Sequence, residues 1–439
     1  MAFCAIAATS AFAGGLMTNT TYHIAFDRMM ARGASTEIDA VFSNPAGLVW
    51  GHEGWQLSLN FQKPWQNRDI TLTTPTGTTQ KYEGKASAPI VPALFVSYKK
   101  DRWALSAMIG IVGSGGFVKY DDGVPMFNVL LTSMLANNGI APTTYTIDSE
   151  MKGKQYIYGG QLNFTYKLLD CLSAAVGFRA NYYDGYYRGH VIAKDHPQLG
   201  EVAKLLLDVD QKGWGFTPII SMNYHQGPLT VAARYEFRTK IQTTNDTNVL
   251  DAGLGTATMA ALMTKDPVGA PAKLAALQSN LGAYTTPYQN DVKTRYDMPS
   301  LLSVAVGYEI TPKLRATAEY HYFDDKNAKM AADRQNELAG GTNEYLLGVE
   351  YDINDKFTVS CGGQRTDYGL SDGYQQNTSF ACDSWSIGLG GAWNITEKVR
   401  LNAGYFISIY SDYDKVVSYG KETYSRTNNV IGLGVDYKF

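Results

Sequence analysis

The stretch from Asn429 to Phe439 alternates without a break. Ile431, Leu433, Val435, Tyr437 and Phe439 fall on one face, and Gly432, Gly434, Asp436 and Lys438 on the other. Side chains of a strand point alternately to its two sides, so this segment has one apolar and one polar side. Roughly ten residues divided in this way suit a tilted strand of a closed barrel in lipid. The final aromatic is what the last strand of an outer-membrane barrel is expected to carry.

The pattern recurs through the chain. Segments 55–62, 90–99, 103–112, 156–167, 171–183, 213–225, 230–240, 301–310, 313–323, 344–353, 356–364, 384–394 and 400–410 alternate in the same sense. With 429–439 they predict fourteen strands. Short connections near Lys100, Leu169, Gly227, Pro312, Asn354 and Thr396 alternate with long ones. Short turns at one rim and long loops at the other characterise outer-membrane barrels, and an even strand number puts both chain ends on the short-turn, periplasmic side. The expected fold is therefore an all-β membrane protein, a 14-stranded antiparallel transmembrane β-barrel. No apolar run approaches the length of about eighteen residues that a helical span needs. The 30 tyrosines and 43 glycines fit interface belts and close approaches inside a barrel. A net charge of −3 gives no footprint for nucleic acid.

Residues 1–13, ending Ala11-Phe12-Ala13, read as the apolar region and cleavage site of a signal peptide whose basic start is missing. The mature chain then begins near Gly14. Three cysteines remain, Cys171, Cys361 and Cys382, an odd number that excludes a complete disulfide framework. Whether Cys361 and Cys382 pair is left open, since a bridge requires Cys382 to lie in a loop.

Three long loops contain apolar residues at helical spacing. They are Val124 to Leu135 within 118–155, Val202, Leu205, Leu206 and Val209 within 184–212, and the stretches Val249 to Met263 and Ala272 to Leu281 within 241–300. Such loops order themselves or carry function. Apolar helices outside a barrel either form a cap or gather a hydrophobic ligand.

Before the first strand lies Gly33 to Leu48, which is not strand-like and contains Asn44-Pro45-Ala46 with Asp39 upstream. It resembles the start of the FadL/TodX family of outer-membrane transporters for hydrophobic compounds. In that family a short N-terminal hatch ending in Asn-Pro-Ala plugs a fourteen-stranded barrel. The resemblance implies a hatch over 14–50, with Asp39, Asn44, Pro45 and Ala46 as its marked residues, and a barrel over 51–439. Physical reasoning agrees, because a barrel this wide leaks unless something fills it. The resemblance further implies a kink in the third strand through which substrate leaves sideways into the membrane. Here Gly110, Gly113, Gly115 and Gly116 fall in that strand. Glycine permits bulges, so these mark either a wall break or simply the strand's end.

Residues of opposite parity are expected to face the lumen, among them Arg179, Arg234, Arg238, Arg315 and Arg400, with Glu236, Glu319, His321, Glu344, Glu350 and Asp352. Such charges pair with each other and with the hatch, or a few arginines hold a substrate carboxylate. No hydrolase, metalloprotease or dinucleotide motif is present. The Asp208/Asp210 and Asp412/Asp414 pairs lack a calcium-loop pattern. The sequence thus predicts a non-enzymatic, cofactor-free, monomeric barrel in a Gram-negative outer membrane. Its expected partners are membrane lipid and hydrophobic molecules, fatty acids foremost or hydrocarbons. A polar-solute porin or an adhesive barrel are the alternatives.

Overall fold

The structure, a computed structural model, describes residues 14–439; the expected signal segment lies outside them. Fourteen strands close on themselves. In order they are β1 Gly54–Thr73, β2 (Thr79–Tyr82, Gly84–Ser87 and Val91–Lys100), β3 Trp103–Tyr120, β4 Thr146–Leu169, β5 Leu172–Lys194 and β6 Ala203–Gln226. Then come β7 (Leu229–Glu236 and Gln242–Leu254), β8 (Lys293–Arg295 and Leu301–Thr311), β9 Leu314–Phe323 and β10 Thr342–Asp352. The circle ends with β11 Phe357–Asp367, β12 Ser384–Asn394, β13 (Val399–Tyr410 and Tyr413–Val417) and β14 Gly420–Lys438. All neighbours are antiparallel. The barrel is sealed by β14 against β1, from Gln56↔Lys438 to Thr73↔Lys421. Every expected strand is present.

Burial is inverted relative to a soluble sheet. On β1 the polar Ser58 and Asn60 are buried, while Trp55, Leu59 and Phe61 are exposed; on β14, Leu433 is 64% exposed and Asn428 fully buried. Only lipid around the wall makes that distribution stable, because each backbone group is paired within the ladder and the apolar faces meet acyl chains. Aromatic residues gather at the rims, with Trp55 against Tyr98 and Phe357 against Trp393 on one side and Tyr182 against Trp214 on the other. This is the belt placement expected where an amphipathic ring meets headgroups.

The wall is uneven in height. β4, β5 and β6 have 24, 23 and 24 residues, against ten or eleven in β9 to β12. At about 3.3 Å per residue the long strands run roughly 80 Å, far beyond the bilayer. This corrects one expectation: residues 184–212 are not helical. Val202 precedes β6, and Leu205, Leu206 and Val209 are ladder residues opposite Val191, His190 and Tyr187. Leucine and valine at i, i+3, i+4 spacing also satisfy a strand once neighbouring edges offer hydrogen bonds, and the tertiary pairing overrides propensity. The other two loops do carry helices. α3 (Pro125–Ala136) lies between β3 and β4, and α4 (Thr256–Lys265) and α5 (Ala270–Thr285) between β7 and β8. Cys382 lies in the loop before β12, and all three described cysteines are free.

Inside the barrel, residues 14–50 form the short helices α1 (Ile24–Met29) and α2 (Ala40–Ser43) and a 3-10 turn, Pro45–Trp50.

Candidate functional site

Helix α1 is seated on glycine. Gly348↔Gly362, Gly362↔Gly388, Gly390↔Gly404 and Gly404↔Gly432 are in register on adjacent strands from β10 to β14. A Cβ at Gly404 would lie 2.9 Å from the Asp27 Cβ, and one at Gly390 2.8 Å from the Arg28 Cβ. Removing the side chains from this patch lets the helix backbone approach the wall closely.

Charges then fasten the segment. Arg28 pairs with Glu350 and donates to Ser360 Oγ at 2.8 Å. The Glu319 carboxylate accepts the backbone N–H groups of Arg32 and Gly33, both at 2.8 Å, and is itself held by His321 at 2.7 Å. Asp39 accepts from Arg32 Nε at 2.6 Å and from Ser35 Oγ at 2.7 Å, closing the turn that leads into α2. Asn44 Oδ1 accepts the Ala46 N–H at 3.2 Å, capping the next turn, and Pro45 occupies its first position, where no N–H is needed. Thr165 Oγ1 donates to Pro45 O at 2.8 Å, Ser173 Oγ to Ala46 O at 2.6 Å, and Asn44 Nδ2 to Met222 O at 3.1 Å. Asn44-Pro45-Ala46 is thereby bolted to β4, β5 and β6.

Four of the five sequence-predicted arginines are engaged by carboxylates. Arg179 and Arg234 share Glu236, and Arg234 also donates to Phe42 O with its guanidinium 4.5 Å from the Phe42 ring. Arg315 holds Glu350 and Asp352, and Arg400 holds Glu37 at 2.5 Å. Arg238 does not face the lumen, contrary to its parity. β7 is interrupted at 237–241, both Phe237 and Arg238 are exposed, and Arg238 donates to Asn327 O. Below this network a polar cavity of about 620 Å³ opens on the short-turn side, lined by Arg32, Glu37, Arg315, Glu350, Asp352 and Arg400 among others.

The wall itself is broken between β2 and β3. Their ladder runs from Lys100↔Trp103 to Leu94↔Ile109 and resumes only at Ser87↔Phe117. Between these, 88–93 and 110–116 do not pair with each other. Pro89 and Pro92 remove two donors from the β2 side. On the β3 side the ladder to β4 skips at Ile111/Gly113 and at Ser114/Gly116, the marks of bulges. Gly110 still pairs with Gly159, Gly113 with Ile157 and Gly116 with Gln155, while Gly115 is the residue passed over in the second bulge. Gly116 has φ +148°, open only to glycine without strain.

The N-terminal segment covers this break from within. Thr18 bridges Gly113, Asn19 N–H donates to Val112 O at 3.1 Å, Asn19 Nδ2 to Ile111 O at 3.1 Å, and the Tyr22 hydroxyl to Val112 O at 3.0 Å. A Cβ on Gly113 would sit 2.5 Å from Met17 O and 2.9 Å from Ile157 Cδ1. Ala88, Val91 and Ile111 form a small buried cluster backed by Tyr156.

Above the N-terminal segment part of the lumen is apolar. One buried cluster runs from Phe127, Leu131 and Leu135 of α3, past Tyr183, Tyr187, Tyr296 and Met298, to Leu16, Met17 and Val112. The tyrosine hydroxyls meet one another, Tyr183 to Tyr187 at 3.4 Å and Tyr187 to Tyr296 at 3.2 Å, and the Tyr183 and Tyr296 rings stack at 5.1 Å. The space beneath α3, lined by Phe127, Met151, Val191, Leu205 and Leu250, is only about 30 Å³. The residues beneath α3 are therefore closely packed. Sequence could not supply this lining, because the residues come from loops and strand extensions whose register is set only by pairing.

On the long-loop side, burial acts on a carboxyl. Asp325, between β9 and β10, is fully buried and accepts the Thr342 Oγ1–H at 2.5 Å and N–H at 3.2 Å. Burial pushes its pKa up to about 7. A raised carboxyl keeps in the folded loop a proton that the unfolded chain releases near pH 3.9. Its contribution is complete below about pH 4 and is lost as pH rises through about 7. Tryptic cleavage at the exposed Lys326 and Lys329, normalised to a free peptide, should accelerate as pH rises toward about 7 and level off above it. Replacing Asp325 with Asn should abolish that pH dependence; a wild-type rate independent of pH would refute the assignment.

The family model described as outer membrane protein beta-barrel domain matches residues 252–439. No curated protein matches in sequence. Among solved structures, a Pseudomonas aeruginosa FadL homologue is similar at TM-score 0.69 and 14% identity, covering 97% of this chain and 100% of its own. The fold is that of the FadL-type outer-membrane barrel. The Pseudomonas putida toluene transporter TodX gives TM-score 0.57 at 13% identity over 92% of this chain and 95% of its own. The Ralstonia pickettii toluene transporter TbuX gives 0.54 at 13% over 92% and 94%. At these identities the likeness is one of fold. A FadL-type barrel accounts for the strand count, the filled lumen and the outer-membrane location.

Proposed function

We propose that this FadL-type barrel takes up hydrophobic small molecules across the outer membrane without an energy source, long-chain fatty acids foremost. The observation that carries the reading is the junction of an apolar upper lumen with a wall break that the hatch covers from inside. The structural relatives named for FadL and for toluene transport support it. The cap helices collect the molecule, which passes between the buried tyrosines to Met17. Displacement of the 17–22 segment from β3 then opens the break beside Gly113, and the molecule leaves sideways into the membrane. This route spares an apolar solute the aqueous periplasm and the charged cavity below the hatch. Transport needs one copy of the chain.

The test pairs two measurements. Cells lacking their own fatty-acid transporter should gain saturable uptake of labelled oleate when they express this protein. Purified protein in planar bilayers should stay closed to ions. A steady conductance with no oleate uptake would replace the reading with a polar-solute porin.

A further inference from the structure

The outer rim above β7 and β9 carries cations that meet no acid. Arg238 and Lys240 lie in the interruption of β7, and Lys326 and Lys329 in the loop that follows β9; all are exposed. They point away from the lumen, because their neighbours Thr239, Ile241, Asp325 and Ala328 are fully buried on the other side. Backbone contacts bring the segments together. Arg238 donates to Asn327 O at 2.5 Å, the Asp297 N–H to Lys329 O at 2.9 Å, and Thr239 and Met298 exchange both backbone bonds at 3.0 Å. Other lysines of the long-loop side are paired, Lys119 with Asp121 and Glu150, Lys154 with Asp184 and Lys204 with Asp251. Arg238, Lys240, Lys326 and Lys329 form no ion pair among the described residues. The acids of this corner are engaged: Asp297 holds Arg295 and the Ile241 N–H, Asp325 holds Thr342, and Asp324 accepts the Asn327 amide. Like charges gathered without a counter-charge repel one another, so an anion among them relieves that repulsion.

Their height matches that of lipid headgroups. Tyr235 and Tyr322 both stand opposite Leu302, which makes one row across β7, β8 and β9. Tyr235 packs on Phe237 at 4.9 Å and Tyr320 on Tyr345 at 5.3 Å, an aromatic belt just below the cations. Farther down, Val304, Val306 and Leu347 are exposed and face acyl chains. The backbone points to the same level. From Glu236 to Gln242 on β7 and from Arg295 to Leu301 on β8 the regular ladder lapses, and Thr239↔Met298 is an isolated bridge. Irregular backbone of this kind is not stable against hydrocarbon, so the stretch belongs at the polar boundary.

We propose that Arg238, Lys240, Lys326 and Lys329 bind the phosphates of a phosphorylated glycolipid of the outer leaflet, whose acyl chains lie on the wall of β8 to β10. Charge and position both select this occupant. The barrel sits in an outer membrane, whose external leaflet is built of such glycolipids, and the patch is cationic at the height of their headgroups. The Arg238 guanidinium offers a planar fork to phosphate oxygens, and the lysines add point charges on flexible stems. Clusters of this kind beside a lipid-facing wall hold anionic headgroups. A bound glycolipid covers the lapse in the β7–β8 ladder from outside, as Thr239, Ile241 and Met298 cover it from the lumen. The site is independent of what passes through the barrel.

The experiment measures binding of diphosphoryl lipid A, dephosphorylated lipid A and phosphatidylglycerol to purified protein in a non-ionic detergent, with folding verified by heat-modifiable gel mobility. Wild type should bind diphosphoryl lipid A at least tenfold more tightly than either of the other lipids. A variant combining Arg238→Gln, Lys240→Gln, Lys326→Gln and Lys329→Gln should bring the preference over the dephosphorylated form to within twofold. Arg238→Lys with Lys326→Arg, which keeps the charge, should retain most of it. Lys356→Gln with Lys398→Gln, which removes exposed cations from the short-turn rim, should change nothing. Equal affinity of wild type for the two forms of lipid A, or a preference that survives in the fourfold variant, would overturn the site. An equal loss in the short-turn variant would reduce the binding to general charge attraction, and equally tight phosphatidylglycerol would make the patch a site for any anionic lipid; either result overturns the glycolipid assignment.

Discussion

Gly113→Trp should reduce oleate uptake at least tenfold while the barrel stays folded. Gly113 is where the hatch meets the broken wall, and any side chain there collides with Met17 O and Ile157. An indole would wedge between the hatch and β4 and fill the space beside 88–93 through which a tail must pass. Overpacking of this kind costs about 1–3 kcal/mol, which a closed ladder on the β3–β4 side can absorb. Gly160→Trp on β4 provides the control and should keep full uptake, since nothing lies within 4 Å of an ideal Cβ there. Full uptake by folded Gly113→Trp would rule out this exit.

The second large effect concerns the seat of the hatch. Gly404→Val places atoms against Asp27 Cβ, 2.9 Å from the new Cβ, and against Arg28 N at 3.1 Å. Glu350→Ala removes the carboxylate facing Arg28 and leaves a buried guanidinium uncompensated, a loss of about 3–5 kcal/mol when such a pair is broken from one side. Both act on α1 rather than on the barrel ladder. Each variant should show discrete ion-conducting openings in planar bilayers where wild type is closed, with unchanged heat-modifiable mobility. Closed records from both variants would mean that the lumen is sealed by something other than residues 14–50.

The strands were legible because a membrane barrel enforces one rule along its whole wall. Leu433, Ile387 and Val304 must meet lipid and their neighbours must not, so parity alone locates the ladders. The turn at Asn44-Pro45-Ala46 was legible because a cap followed by proline is local chemistry, and Asn44 Oδ1 accepts the Ala46 N–H; its place at the end of a hatch came only from the family resemblance. The remainder depends on pairing between distant segments. Leu205 and Val209 have helical spacing and become strand only because β5 and β7 stand beside them. Arg238 has lumenal parity but follows the interruption of β7, which no composition announces. The first strand, read from its apolar face, stops near residue 62, whereas the ladder continues to Thr73. That Arg179 meets Glu236 depends on cross-strand register.

The central claim, passage from an apolar lumen through the wall, is tested most directly by photo-cross-linking. A diazirine-bearing fatty acid would be irradiated in outer membranes containing the protein, and the adducts competed by unlabelled oleate would be mapped. Competed adducts at Met17, Ile90, Ile111 and Tyr156, reduced in Gly113→Trp, are the predicted result. Competed adducts confined to the periplasmic cavity around Glu37, Arg315 and Arg400 would contradict it, and would mean that the molecule leaves through the floor of the barrel.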